Sequence, residues 1–168
     1  KEGIKHLIST SHSGHPMYDV SAETVLQQVK ELQEELDERQ IPITLHVGHE
    51  VRISENIVEK FKNEQIHTLA GSEYLLLELP SNSVPYYTKE LIRECLIAGL
   101  TPVIAHPERN RAIADKPSRL ERLIREGAVA QLTAGSIAGH FGRKVQKLSL
   151  DLVRANLVHT YGSDAHNL

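Results

Sequence analysis

Six residues could do metal chemistry from comparable places. His12, Glu50, Glu78, His106, Asp164 and His166 each fall at or just past the C-terminal end of an expected strand, or in its last turn. In parallel α/β folds that end of the sheet is where chemistry is placed, and in a barrel the strand ends converge on one face. Imidazole nitrogen and carboxylate oxygen without thiolate suit manganese, iron or zinc in a hydrolytic site. Glu78 sharpens the reading: its run Tyr-Leu-Leu-Leu-Glu-Leu (74–79) is otherwise apolar. A carboxylate there is costly unless it is paired, hydrogen-bonded or bound to a cation. Arg109 follows His106 by three residues in Thr-Pro-Val-Ile-Ala-His-Pro-Glu-Arg-Asn-Arg (101–111). Its planar fork can clamp a phosphate or a carboxylate.

Other nucleophilic chemistries lack their residues. A cysteine phosphatase needs an arginine six positions after its cysteine, and Cys95 is followed at that distance by Thr101. No Gly-rich phosphate loop with its lysine follows a strand, and there is no Gly-x-Ser-x-Gly elbow. Of the ten histidines, His46, His49, His67 and His159 lack the strand-end position and read as ordinary surface, core or second-shell groups. His15 and His140 lie in Gly-containing loops and take no assignment.

The elements that must position these groups alternate. Apolar runs at 6–12, 43–47, 74–79, 102–106, 128–133 and 157–161 read as strands. Helices are expected from Ser21, as cap, to about Gln40, with Val25, Val29, Leu32 and Leu36 at helical spacing, and then at 54–63, with Ser54 as cap. Three more follow at 87–98 closed by Gly99, at 118–126 ended by Gly127, and at 143–155. Lys1-Glu2-Gly3 reads as the last turn of a further helix. Six strands with five crossover helices predict an α/β fold with a parallel sheet, either doubly wound or closed into a barrel.

Composition narrows the class. A chain of 168 residues, 40% hydrophobic and 24% charged, suits one soluble globular domain. A formal net charge of -3 argues against non-specific binding to nucleic acid or an anionic membrane surface. No apolar run approaches the ~20 residues of a membrane-spanning helix. A lone cysteine rules out an internal disulfide framework and fits a reducing cytoplasm.

Five motifs in series carry a resemblance. They are Thr-Ser-His at 10–12, Gly-His-Glu-Val-Arg-Ile at 48–53, Leu-Leu-Glu-Leu-Pro at 76–80, Ile-Ala-His-Pro-Glu-Arg at 104–109 and Gly-Ser-Asp-Ala-His-Asn at 162–167. Together they resemble the PHP (polymerase and histidinol phosphatase) superfamily. Within it, the chain is similar to the bacterial metal-dependent tyrosine phosphatases of capsule and exopolysaccharide synthesis. The resemblance implies a distorted TIM-like (β/α)7 barrel and a centre of up to three divalent metals. Manganese is the expected metal, with iron, zinc or cobalt as alternatives. By the resemblance His12, Glu50, Glu78, His106, Asp164 and His166 match metal ligands, Arg109 matches an arginine that holds the substrate phosphate, and His106 can assist catalysis. The implied substrate is a phosphotyrosine protein, a cytoplasmic tyrosine kinase.

The same family opens with a strand carrying His-x-His and a first helix, and continues past Asp-Ala-His-Asn with a further arginine and a closing helix. The expectation is therefore a single PHP-type domain over 1–168, truncated at both ends and short of the first strand and two histidine ligands. Another PHP phosphoesterase (histidinol-phosphate phosphatase or nuclease-like) and a non-catalytic docking domain are the alternatives. Substrate turnover and metal content separate them.

Overall fold

In the computed structural model, which describes residues 3–166, the segment expected as one strand over 6–12 is two strands, β1 (His6–Ile8) and β2 (Ser11–Ser13). The second expected strand, 43–47, is β3 (Thr44–His46), and past Gly48 a further strand follows that the sequence reading did not include, β4 (His49–Arg52). The first pair is parallel, with His6 opposite Thr44 and Ile8 opposite His46. The second is parallel too, with Ser11 opposite His49 and Ser13 opposite Val51. Gly48 explains why both segments break at one level. A β-carbon there would stand 2.9 Å from Ile8 Cγ2 and 2.9 Å from Ser9 O. The two backbones pass too closely for any side chain, so each leaves one pairing and begins another.

Between these pairs runs α1 (Ala22–Glu38), capped as expected: Ser21 Oγ accepts from Thr24 N at 3.1 Å. Its apolar stripe is only partly covered. Val25 is buried, Val29 and Leu36 are intermediate, and Leu32 is 49% exposed. Polar fastening supplements the apolar face, because Gln33 accepts from Leu45 N at 2.7 Å and donates to Ile43 O at 3.1 Å. Helix α2 (Ile57–Lys62) starts later than expected, with Asn56 at its N-cap. Ser54 does not cap it; its Oγ bonds Asn56 Oδ1 instead.

The chain divides into two compact units, the cut falling between Leu76 and Leu77 inside β5 (Tyr74–Glu78). In the first, β4 lies between β2 and β5. Its core is built from Val25, Val51, Ile53, Ile57, Ile66 and Leu75. In the second, the strand order is β5, β6 (Thr101–Ala105), β7 (Val129–Thr133), β8 (Thr160–Gly162). β6 and β8 both pair with β7 in parallel, setting Ile104 opposite Ala130 and Leu132 opposite Tyr161. Here α3 (Thr88–Ile97), α5 (Ser118–Arg125) and α7 (Arg143–Arg154) match expected helices. They bring Leu91, Ile92, Cys95, Leu120, Leu123 and Leu152 into a core with Leu77, Val103, Ile104 and Leu132. Each fully buried aliphatic side chain contributes about 1.5–3 kcal/mol. Gly99 and Gly127 end α3 and α5 at φ of +79° and +106°, as the sequence suggested.

Two short helices fall where the sequence reads as loop: α4 (Arg111–Asp115) and α6 (Ala134–Ala138). Among the described residues there are thus eight strands and seven α-helices, where the sequence pattern predicts six and five. The fold is mixed α/β with parallel strand pairs. The expected helix end at Lys1-Glu2 and the closing Asn167 lie outside the described residues.

Candidate active site

His12 and Glu50 are register partners in the β2–β4 pair. Directly opposed residues point their side chains to one face, so strand pairing sets the imidazole beside the carboxylate. Glu78 ends β5, the strand on the other side of β4. Glu50 and Glu78 are both buried. A carboxylate held out of water is costly in its charged form, and a cation beside it removes that cost. Nitrogen plus two carboxylate oxygens is a donor set for a divalent transition metal. The residues fit the ion that the sequence pattern implies.

Strand position differs from expectation for two of the three. His12 is the middle residue of β2 and Glu50 the second of β4, inside strands rather than past their ends. The physical reason is the break at Gly48, which starts new strands where the sequence suggests that the old ones finish.

The second unit holds the remaining candidates around the ends of β6 and β8. His106 follows β6 directly, in the left-handed region at φ 32°, ψ 53°, and begins the 3-10 turn Pro107–Arg109. Arg109 Nη1 donates to Asp164 Oδ2 at 2.6 Å. Asp164 stands two residues past β8, and its own backbone is left-handed at φ 51°. His166 Nδ1 donates to Asp164 O at 2.8 Å and stands 3.6 Å from its Oδ1. The guanidinium of Arg109 also lies over the Phe141 ring, 4.8 Å from its centroid. Arg109, Asp164 and His166 are thus brought together. His106 is attached to them through the turn.

Sequence reasoning assigned no role to the residues that hold this turn. Glu108, only 2% exposed, accepts from Thr133 N at 2.9 Å, tying the turn to the end of β7. Asn110 is buried and uses its whole amide. Its Nδ2 donates to Pro80 O at 2.7 Å and Ser83 O at 2.9 Å, while Oδ1 caps α4 by accepting from Ile113 N at 3.0 Å. A Glu-x-Asn pair flanking an arginine was the available signal, since such residues in a turn usually serve backbone groups.

The other histidines have structural partners. His49 is fully buried; its Nδ1 accepts from His67 N at 2.9 Å and its Nε2 bonds Val20 O at 3.2 Å. Burial, then the neighbouring His67 ring, lower the His49 imidazole below its ordinary pKa. His67 donates to Ala22 O at 2.8 Å. His159 accepts from Ala130 N at 3.1 Å, and His46 meets His6 at 3.1 Å. Of the two unassigned residues, His15 lies 5.0 Å from the His12 ring, centroid to centroid, and His140 packs against Gly135.

A parallel α/β frame, with a His–Glu pair on neighbouring strands and an arginine–aspartate pair at a strand end, defines an α/β protein equipped to take a cation. The whole chain, residues 1–168, matches the family described as capsular polysaccharide synthesis, CpsB/CapC, and the chain belongs to that family. It is 41% identical over 167 residues to the putative tyrosine-protein phosphatase CapC of Staphylococcus aureus, covering 99% of this chain and 66% of CapC. It is 38% identical over 168 residues to the tyrosine-protein phosphatase YwqE of Bacillus subtilis, covering 100% of this chain and 66% of YwqE. A solved structure matches 99% of this chain and 67% of its own at a TM-score of 0.95 and 38% identity. It comes from work on YwqE from Bacillus subtilis and CpsB from Streptococcus pneumoniae, described as unique metal-dependent tyrosine phosphatases. This chain spans about two thirds, 66%, of the length of CapC and of YwqE.

Proposed function

We propose that this chain carries the active site of a metal-dependent protein-tyrosine phosphatase of the PHP type. Its substrate would be phosphotyrosine on a cytoplasmic tyrosine kinase that regulates capsule or exopolysaccharide synthesis. The observation that carries the reading is the His12–Glu50 register pair, an imidazole set beside a buried carboxylate. The relatives' names support the tyrosine phosphatase activity and the metal dependence. Among the described residues no helix is long and apolar enough to cross a membrane.

His12, Glu50 and Glu78 would hold a divalent ion, manganese by preference, and His106, Asp164 and His166 would add ligands for up to three. Ions so held supply hydroxide at neutral pH and neutralise phosphate charge. The protein's own part is binding and orientation. Arg109 has five N–H donors in a rigid fork, of which Nη1 is directed to Asp164. The remaining donors grip the non-bridging phosphate oxygens and align the ester for in-line attack. The Phe141 ring lies 4.8 Å from the guanidinium, where a cation–π contact would steady the fork. His106 stands in the same turn, where its imidazole can hold a proton toward the departing phenolate. Phenolate is a good leaving group, so this help is modest.

The test is turnover of a phosphotyrosine peptide by the full-length protein before and after exhaustive chelation, then with manganese restored. Activity that vanishes and returns is expected. Undiminished turnover with metal absence confirmed by elemental analysis overturns the reading.

A further inference from the structure

Phe141 is one of two phenylalanines in 168 residues, yet it is 47% exposed. The chain fixes it there with unusual care. It sits in the tight connection between α6 and α7, whose Gly139 and Gly142 have φ of +91° and +88°. Gly142 N donates to Gly139 O at 3.0 Å and His140 N to Gly135 O at 2.9 Å, closing the turn on both sides. Gly135 is the seat: a β-carbon there would lie 3.2 Å from Phe141 Cε2 and 3.3 Å from His140 Nδ1. This large apolar ring is held firmly, half in water, 4.8 Å from the Arg109 guanidinium, with part of its surface open beside a cationic fork.

We propose that Phe141 determines ester specificity, selecting aryl over alkyl phosphates by packing against the substrate's ring while Arg109 holds its phosphate. This rests on the phosphatase reading above. A phosphate oxygen on the fork sits ~3 Å from a guanidinium nitrogen. The first ring atom of a phosphotyrosine is one ester oxygen away from that phosphate. With the ester oxygen on the Phe141 side of the fork, that ring falls within the ~4.5–7 Å over which aromatic rings attract one another, edge to face or offset. An alkyl ester at the same place offers neither the flat area nor the quadrupole. The single ring thus has two neighbours: it steadies the arginine on one side and reads the ester substituent with the surface that remains open.

Binding of non-hydrolysable ligands tests this without depending on turnover. The full-length, manganese-loaded protein is titrated with phenylphosphonate, butylphosphonate and inorganic phosphate, for wild type, Phe141→Ala and Phe141→Leu. Phe141→Ala is expected to weaken phenylphosphonate about 3- to 10-fold more than butylphosphonate, with Phe141→Leu between Ala and wild type. Equal weakening of all three ligands would show that Phe141 only props Arg109, and overturns the proposal. So does an unchanged phenyl-to-butyl ratio in both variants. Should the wild type hydrolyse no phosphate ester at all, the phosphatase reading fails, while the titrations still decide what Phe141 recognises.

Discussion

Arg109 and Asp164, 55 positions apart in the chain, are joined by a 2.6 Å ion pair that links the turn after β6 to the segment after β8. Their side chains are 37% and 20% exposed, so solvent screens much of the attraction. Pairs of this kind contribute ~0–1 kcal/mol. The link is therefore weak as a support, and it fixes the direction of the guanidinium fork proposed above to hold phosphate.

Arg109→Ala is accordingly expected to leave the unfolding free energy within about 1 kcal/mol of wild type. It should also retain metal while lowering kcat/KM by ~10²-fold or more. Arg109→Lys should recover only part of the loss, since an ammonium lacks the fork. Urea denaturation, metal analysis and steady-state kinetics on one set of preparations check all three. Metal loss on Arg109→Ala would mean that the residue serves the metal site instead.

Glu78→Ala should behave oppositely. A ligand that binds only the folded state stabilises it by about 2.7 kcal/mol at a concentration 100 times its Kd. Removing one of three ligand side chains should shrink the manganese-induced rise in Tm to a small fraction of the wild-type value. Differential scanning fluorimetry with and without manganese reads this directly. An undiminished rise would place the ion elsewhere.

Asn110→Ala is expected to cost roughly 2–4 kcal/mol, because it strips a helix cap and leaves two carbonyls without their donor. Asn110→Asp keeps the oxygen that accepts from Ile113 N but sets a second carboxylate oxygen against Pro80 O and Ser83 O, acceptor to acceptor in a buried site, so it should cost at least as much as the alanine variant. Chemical denaturation midpoints would order the three proteins. A loss below about 0.5 kcal/mol for the alanine variant would deny the amide its clamping role.

Cys95 is buried, and desolvation, with a smaller push from Glu94, raises its thiol pKa to about 11 from a reference of 9.0. The thiol stays protonated in the folded chain where it would ionise in the unfolded one. Ionisation thus favours unfolding, and this contribution to stability is lost as pH rises from about 9 toward 11. At pH 8 iodoacetamide should label the native protein far more slowly than the urea-unfolded one. Equal rates would contradict the burial.

Much of the frame was legible because apolar runs such as 74–79 and 128–133 leave few alternatives to a buried strand. The split of 6–12 into β1 and β2 was not legible. It depends on how closely Gly48 passes Ile8 and Ser9, a contact between segments forty residues apart, invisible to local periodicity. Helices α4 and α6, five residues each, are too short to show a helical period. At the site, residue types singled out His12, Glu50 and Glu78, because carboxylate and imidazole at strand positions have few other uses. Glu108, Asn110 and Phe141 went unassigned, since their work is done on backbone carbonyls, an amide and a guanidinium that only the folded chain brings near.

His106 holds a left-handed conformation, φ 32° and ψ 53°, that most side-chain-bearing residues avoid, that histidine enters more often than most, and that glycine adopts with less strain. Laboratory evolution would expose what that choice implies. Lineages screened for heat resistance alone should drift toward glycine or asparagine at 106, because relief of the backbone is the nearest gain. Lineages screened for turnover should keep the imidazole and pass over the easier backbone. The two selections would pull one codon in different directions.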